Sequence, residues 1–424
     1  MIRRDFLAAA ATAAAVPRLR PDLLRVLGER GHGAGDPDDE AYWSTVREAF
    51  DLPADSINLD HGNIGAAPRA AIAELVRHAQ EVEQFPPHRN YALHLAVTKP
   101  RLYALLGEIL GVPADEIALV RNATEALDTV LLGYPLERGD EVLCSTHDYY
   151  AMLDALEHRR ERDGIVLRML RPPVPARSLD ALAELYEAAI TPRTRLVLLT
   201  HPSNLTGQLL PVRRIADAAH RAGALVVVDG AQSCGIVDYT IPDLGCDFYG
   251  ISLHKWLGAP IGAGALWMRK EHAERVAPLV PAPKSIRGHE RFSWSGTYFE
   301  PICAGAVAAC ALQQTIGSKR KGARLRYLTD SWRRRIEGTR GVRFYSVPGP
   351  DASCGLATFE ASGITSERLQ AVLWNDHRIL VQDMLWGGRT PEVRGVRVTP
   401  NVYTTPAELD RFVAAVHRVV RDGG

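Results

Sequence analysis

Residues 225–258 read LVVVDGAQSCGIVDYTIPDLGCDFYGISLHKWLG. The run Leu225–Val228 is apolar throughout and largely β-branched, the pattern of a strand buried on both faces. It delivers Asp229 at its carboxyl end. A second apolar run, Phe248–Leu253, ends in His254 and Lys255. Open α/β sheets bind their ligands at the carboxyl ends of strands. A carboxylate and a lysine are therefore offered together on the edge of the sheet where a ligand would sit.

That pair has a specific chemical use. A lysine amine condenses with the aldehyde of pyridoxal phosphate, and an aspartate keeps the pyridine nitrogen protonated so that the ring accepts electrons. Simpler readings compete: Asp229 as a turn former or helix cap, and Lys255 as a solvated surface residue. An aspartate after a buried strand also suits a ribose in a dinucleotide fold, but the G-x-G-x-x-G between strand and helix is missing. The nearest glycine cluster, GHGAGD at 31–36, follows no strand and reads as a linker.

Working outward, strands and helices alternate from Ala70 to Arg269. The pattern gives a helix near Leu102–Leu110, strand Ile117–Val120, a helix from Thr124, and strands Glu141–Cys144, Ile165–Met169 and Leu196–Thr200. This is a mainly parallel sheet with helices on both faces, an α/β fold. GALWM at 264–268 reads as one further, antiparallel strand. One long helical stretch, Cys303–Glu337, leads to a smaller α+β part. Its strands fall near Leu356–Phe359, Ile379–Val381 and Val396–Thr399, before a last helix at Pro406–Arg421. The division is a leader at 1–15, a tether and N-terminal arm at 16–69, a large domain at 70–302, and a linking helix with a small domain at 303–424.

The chain has 424 residues, with 50 basic and 50 acidic side chains. That balance favours neither nucleic acid nor an anionic membrane as partner, and no run beyond the N-terminus is long enough to span a bilayer. MIRRDFLAAAATAAAVP carries the pair Arg3–Arg4 before an alanine-rich run. It resembles a twin-arginine export signal, with a small-x-small cleavage site at Ala13–Ala15, so export by the twin-arginine machinery is expected. An amphipathic N-terminal helix is the other reading. Cys144, Cys234, Cys246, Cys303, Cys310 and Cys354 show no metal or disulfide-framework spacing.

The remaining candidates follow the strand ends in order. Ala123 and Thr124 open a helix after Ile117–Val120, where free N–H groups and the helix dipole favour an anion. Tyr149 in STHDYYAM is placed to cover the ring. Asn204 in THPSNLTGQ is placed to bond a phenolic oxygen, and Gln232 to reach the same atom. Ser252 and His254 flank Lys255 as phosphate donors. Gly296 and Thr297 in RFSWSGTYFEP offer a further phosphate contact, and Arg397 in VRVTPNVYTTP suits a substrate carboxylate. Each has an ordinary structural reading as well, such as a cap, an Asx-turn or a core aromatic.

Taken together, these residues resemble the class V aminotransferase family of fold-type I pyridoxal phosphate enzymes, over about Ile57–Phe412. The resemblance implies pyridoxal 5'-phosphate as cofactor, Lys255 as its covalent partner and Asp229 as the pyridine partner. It places Tyr149 over the ring, where the desulfurase branch has a histidine. It also implies a homodimer in which Gly296 and Thr297 reach the neighbouring subunit's phosphate, and Arg397 on the substrate α-carboxylate. Cysteine desulfurases carry a nucleophilic cysteine shortly before the matching arginine; here VQDMLWGGRTPEVRGV holds none. The arm INLDHGNIGAAP resembles that of isopenicillin N epimerase-like proteins, which implies that His61, Gly62 and Asn63 touch the substrate, an amino acid or a peptide-derived amine. An aminotransferase is the first expectation, with an epimerase or a C–S/β-elimination lyase as alternatives.

Overall fold

The structure is a computed structural model that describes residues 24, 25, 27, 36–347, 349, 351–385 and 392–422. The export signal read at 1–15 and most of the tether lie outside the described residues. Thirteen strands are described. They are β1 (Ile57–Asn58), β2 (Ile117–Val120), β3 (Glu141–Ser145), β4 (Val166–Leu170), β5 (Thr194–Thr200), β6 (Leu225–Asp229), β7 (Phe248–Ser252) and β8 (Gly264–Met268), then β9 (Val342–Phe344), β10 (Ala357–Ala361), β11 (Ile379–Leu380), β12 (Gln382–Asp383) and β13 (Val396–Val398).

Seven of these make one sheet in the order β2-β8-β7-β6-β5-β3-β4. Every pairing in it is parallel except those of β8, which is antiparallel to both neighbours, as the sequence led us to expect. Val226 and Val228 point into one core and Val227 into the other. That two-sided burial is why the run is apolar without a break, at roughly 1.5–3 kcal/mol per fully buried side chain. Helix Ala123–Gly133 packs on β7 over one face, and helices Arg69–Gln84 and Pro301–Ile316 pack together over the other.

A second, antiparallel sheet runs β12-β13-β10-β9. Around it Trp332, Phe359 and Phe412 form an aromatic core. The N-terminal arm joins this part through a two-residue parallel ladder between β1 and β11 and a bridge from Asp60 to Thr399. One expectation is corrected here. The stretch Cys303–Glu337 is two helices, Pro301–Ile316 and Ser318–Ile336, broken at Gly317 with φ +85° and ψ 147°. Only glycine takes that φ without strain, so the chain turns there instead of continuing.

Candidate active site

A cavity of about 260 Å³ lies at the carboxyl ends of the central strands, between the two sheets and under the arm. Asp229, ending β6, is buried with its carboxylate accepting from the Ala231 N–H at 3.0 Å. Burial pushes its pKa up, and the nearby Lys255 ammonium pulls the other way. Lys255 follows β7. Its burial brings its pKa down to about 8, with Arg397 acting in the same direction and Asp229 and Asp60 opposing. A lysine so shifted reaches its nucleophilic neutral form near neutral pH.

At the other end of the cavity, Asn122 caps helix Ala123–Gly133 by accepting from the Glu125 N–H. The Ala123 N–H donates to Ser252 Oγ at 3.0 Å, which draws the helix N-terminus onto the end of β7. Ala123, Thr124, Ser252 and His254 all line the wall. Burial keeps the His254 imidazole neutral, with a pKa of about 4. Neutral donors and a helix dipole make this end a cradle for an anion.

The flank beyond β5 and β3 carries Tyr149, Tyr150 and Asn204. Tyr149 stands at the N-cap position of helix Tyr150–Asp163, its side chain making no cap bond. Its hydroxyl donates to Tyr150 Oη at 3.3 Å, with ring centroids 4.5 Å apart and planes tilted by 52°. Beside them Asp148 accepts from the Ser145 N–H and from both the N–H and the hydroxyl of Thr200. Burial raises its pKa to about 7 despite those donors.

The arm forms the roof. Gly62, Asn63 and Ile64 line the cavity. Gly65 donates to His254 O, and a Cβ there would stand 2.1 Å from Lys255 O. The Arg397 guanidinium is held by Asp60 Oδ1 at 2.9 Å and by Asn204 O at 3.0 Å.

The structure therefore gathers Asn63, Ala123, Thr124, Tyr149, Asn204, Asp229, Gln232, Ser252, His254, Lys255 and Arg397 around one cavity. One expected position sits elsewhere, and the two expected at the neighbouring subunit's phosphate lie away from this cavity. The His61 ring is outside the wall, buried edge-on against Tyr403 with Nδ1 3.3 Å from its hydroxyl. Gly296 and Thr297 are exposed and outside the cavity. Gln232 is on the wall, but its carboxamide accepts from Trp256 Nε1 and donates to Gly62 O, both at 2.8 Å, so it fastens the arm. Sequence reasoning missed Asp60, Asp148, Tyr150 and the β12 residues Gln382 and Asp383. Of these only Tyr150 carried a local signal, as the second of two adjacent tyrosines.

The residues fit pyridoxal phosphate. Three buried polar atoms at the cavity have no partner: Asn204 Oδ1, His254 Nδ1 and Arg397 Nε. Buried polar groups without partners are costly, and a polar ring ligand would satisfy them. A volume of about 260 Å³ suits a single substituted ring. Among the described residues no cluster fit for a metal occurs. A family model described as aminotransferase class-V matches residues 98–412.

The chain belongs to the class V aminotransferase family. Pyridoxal 5'-phosphate is the cofactor of this family, and the site of this class V member is built for it. Its relatives include the isopenicillin N epimerase of Amycolatopsis lactamdurans, 29% identical, covering 88% of this chain and 98% of that one. The isopenicillin N epimerase of Streptomyces clavuligerus is also 29% identical, with 89% and 98% covered. A probable cysteine desulfurase of Xylella fastidiosa is 28% identical over 74% of this chain and 79% of its own. The fold matches the cysteine desulfurase CsdA of Escherichia coli with a TM-score of 0.78, at 22% identity over 89% of this chain and 98% of that one.

Proposed function

We propose that this enzyme removes and returns the Cα proton next to the amino group of an amino acid or a peptide-derived amine, as an epimerase. The observation that carries this reading is the absence of a thiol from the cavity wall. All six cysteines are buried away from it, and 386–391 contain none. Without a thiol near the substrate, an enzyme-bound persulfide has no nucleophile to form on, and Lys255 is left as the group that moves a proton. Likeness to two epimerases over nearly their full length, arm included, supports the same reading.

In this proposal Lys255 and Asp229 are the catalytic pair. Lys255 would hold the cofactor and serve as general base at Cα. Asp229 would keep the pyridine nitrogen protonated, while Ala123, Thr124, Ser252 and His254 would hold the phosphate. Tyr149 would cover the ring, Asn204 and Gln232 would border its oxygen edge, and Arg397 would take the substrate carboxylate beside Asn63. Bound pyridoxal phosphate supplies an electron sink for the charge left when the proton departs. Transamination, which the sequence reading put first, would call on the same lysine.

Two further parts belong to the proposal. The protein is a homodimer in which Gly296 and Thr297 complete the neighbour's phosphate site. Exposed Phe85, Val97, Ile261 and Phe299 support an interface there, since Tyr298 bonds Gly262 O and helix Pro301–Ile316 packs on residues 90–98. The protein is also exported through the twin-arginine machinery, for which Arg3–Arg4 and the alanine run are the support.

The test is an absorbance spectrum of the purified protein, followed by single-enantiomer amino acids. A band near ~410–430 nm that borohydride removes and Lys255→Ala lacks is expected for the lysine-bound cofactor. Appearance of the opposite enantiomer supports epimerisation. Keto-acid accumulation with loss of the band means transamination, and pyruvate with ammonia means elimination.

A further inference from the structure

We propose that Tyr150, hydrogen-bonded by Tyr149, is a second proton donor that serves the face of Cα opposite Lys255. The inference rests on the Cα-proton reading above. It assigns the residue that turns removal of a proton into inversion.

Sheet order carries the argument. Lys255 follows β7, which borders β6 and Asp229 on one side. The two tyrosines follow β3, which lies on the other side of β6 beyond β5. Both tyrosines line the same cavity as Lys255. An acid on each flank of Asp229 is what inversion requires. A lysine fixed on one face returns the proton to the face it came from.

The direction of the tyrosine hydrogen bond says which hydroxyl does the work. Tyr149 donates and Tyr150 Oη accepts, at 3.3 Å. A donor on Tyr150 Oη stabilises the phenolate left after Tyr150 gives up its proton. Burial and the neighbouring Tyr150 hold Tyr149 above its usual pKa, so it remains protonated and keeps donating. Tyr150 is thus the acid, and Tyr149 supports its charge.

The other titratable groups near that flank are otherwise engaged. Asp148 spends its carboxylate on three donors that tie the end of β3 to the end of β5. Asp383 belongs to β12 and accepts from the Leu385 N–H. His61, an alternative raised by its place in the arm, is turned to Tyr403 outside the wall, and burial holds it neutral with a pKa of about 3.

The protons balance. In one direction Lys255 Nζ takes the Cα proton and Tyr150 Oη gives its own to the opposite face. This leaves an ammonium and a phenolate that return to their starting forms by exchange with solvent. The other enantiomer runs the same transfers in reverse, and no oxidant or reductant enters.

The test uses the cofactor-loaded enzyme in deuterated water with the L- and D-forms of alanine, glutamate and lysine, following the Cα proton by NMR and product chirality. Wild type should release the opposite enantiomer carrying solvent deuterium. Tyr150→Phe should cut interconversion by about 100-fold or more, the usual worth of a general acid. Its proton exchange should survive for only one enantiomer, the one whose Cα–H faces Lys255. Tyr149→Phe should give a smaller loss, and Tyr150→Phe should bind pyridoxal phosphate in an absorbance titration as wild type does. Equal interconversion by Tyr150→Phe and wild type, at matched thermal midpoints, overturns the assignment while leaving the Cα-proton reading intact. Exchange of neither enantiomer by wild type, with keto acid accumulating, overturns both.

Discussion

Replacing Asp60 by alanine removes the counter-ion of a buried arginine. Arg397 and Asp60 are 5% and 7% exposed, and Nη2 lies 2.9 Å from Oδ1. The guanidinium keeps only its Nη1 bond to Asn204 O, because Nε has no partner already. Removing one member of a buried pair leaves an uncompensated charge and costs about 3–5 kcal/mol. Unfolding entropy is about 2.1 cal/mol/K per residue, so a chain of 424 residues loses roughly 3–6 °C in thermal midpoint.

The assay is a double-mutant cycle on the protein without cofactor, with Asp60→Ala, Arg397→Ala and both together, read by thermal and urea unfolding. The double variant should be more stable than the two single losses predict, because each single change strands the other charge. In the cofactor-loaded enzyme, Asp60→Ala lets the guanidinium turn, and KM for a carboxylate-bearing substrate rises more than kcat falls. A midpoint within 1 °C of wild type, with additive losses in the cycle, would falsify the claim that this pair pins the arm to the small sheet.

Three further outcomes are expected. Gly65→Ala drives a Cβ against the Lys255 carbonyl, a backbone atom that cannot swing aside. Cofactor affinity should fall, and an unchanged titration with pyridoxal phosphate counts against the arm acting as roof. Without cofactor, the rate at which Lys255 captures pyridoxal phosphate should climb with pH and level off above about 8, the pKa to which burial lowers it; an inflection above pH 10 would contradict that burial. The same shift links to stability. The folded pKa lies below the unfolded value of about 10.4, so between about pH 8 and 10.4 Lys255 binds more protons in the unfolded state and its own contribution to stability rises with pH. Lys255→Met should remove that contribution, so the stability difference between wild type and variant should change with pH across this window, while buried Lys321, also lowered to about 8, keeps its own.

What the sequence disclosed follows from the range of the forces involved. The strands of the large sheet were legible because burial on both faces writes an uninterrupted apolar run, as in VVV of β6 and LVLL of β5. Ala123, Asp229 and Lys255 could be placed for the same reason, since each sits a fixed step beyond such a run. The ladder between β1 and β11 is two residues long and β9 three, too short for any periodicity. Gly317 gave no sign of a break, because a lone glycine between two helical patterns is often tolerated within one helix. Asp60 and Arg397 are 337 positions apart, and nothing local to either marks the other as its partner.

The same difference in range separates the cofactor from the reaction. The candidate cofactor residues mostly each follow a strand of one sheet, so local sequence and sheet order together place them. In the proposed reaction the outcome at Cα depends instead on the cavity wall opposite Lys255, which is assembled from remote parts. Tyr150 comes from the start of the helix after β3, Asn63 and Ile64 from the arm, and Asp383 from the small sheet. Two enzymes with the same aspartate–lysine pair can therefore part ways in chemistry. The residues to alter in redirecting this enzyme are those of the opposing wall, with the lysine left in place.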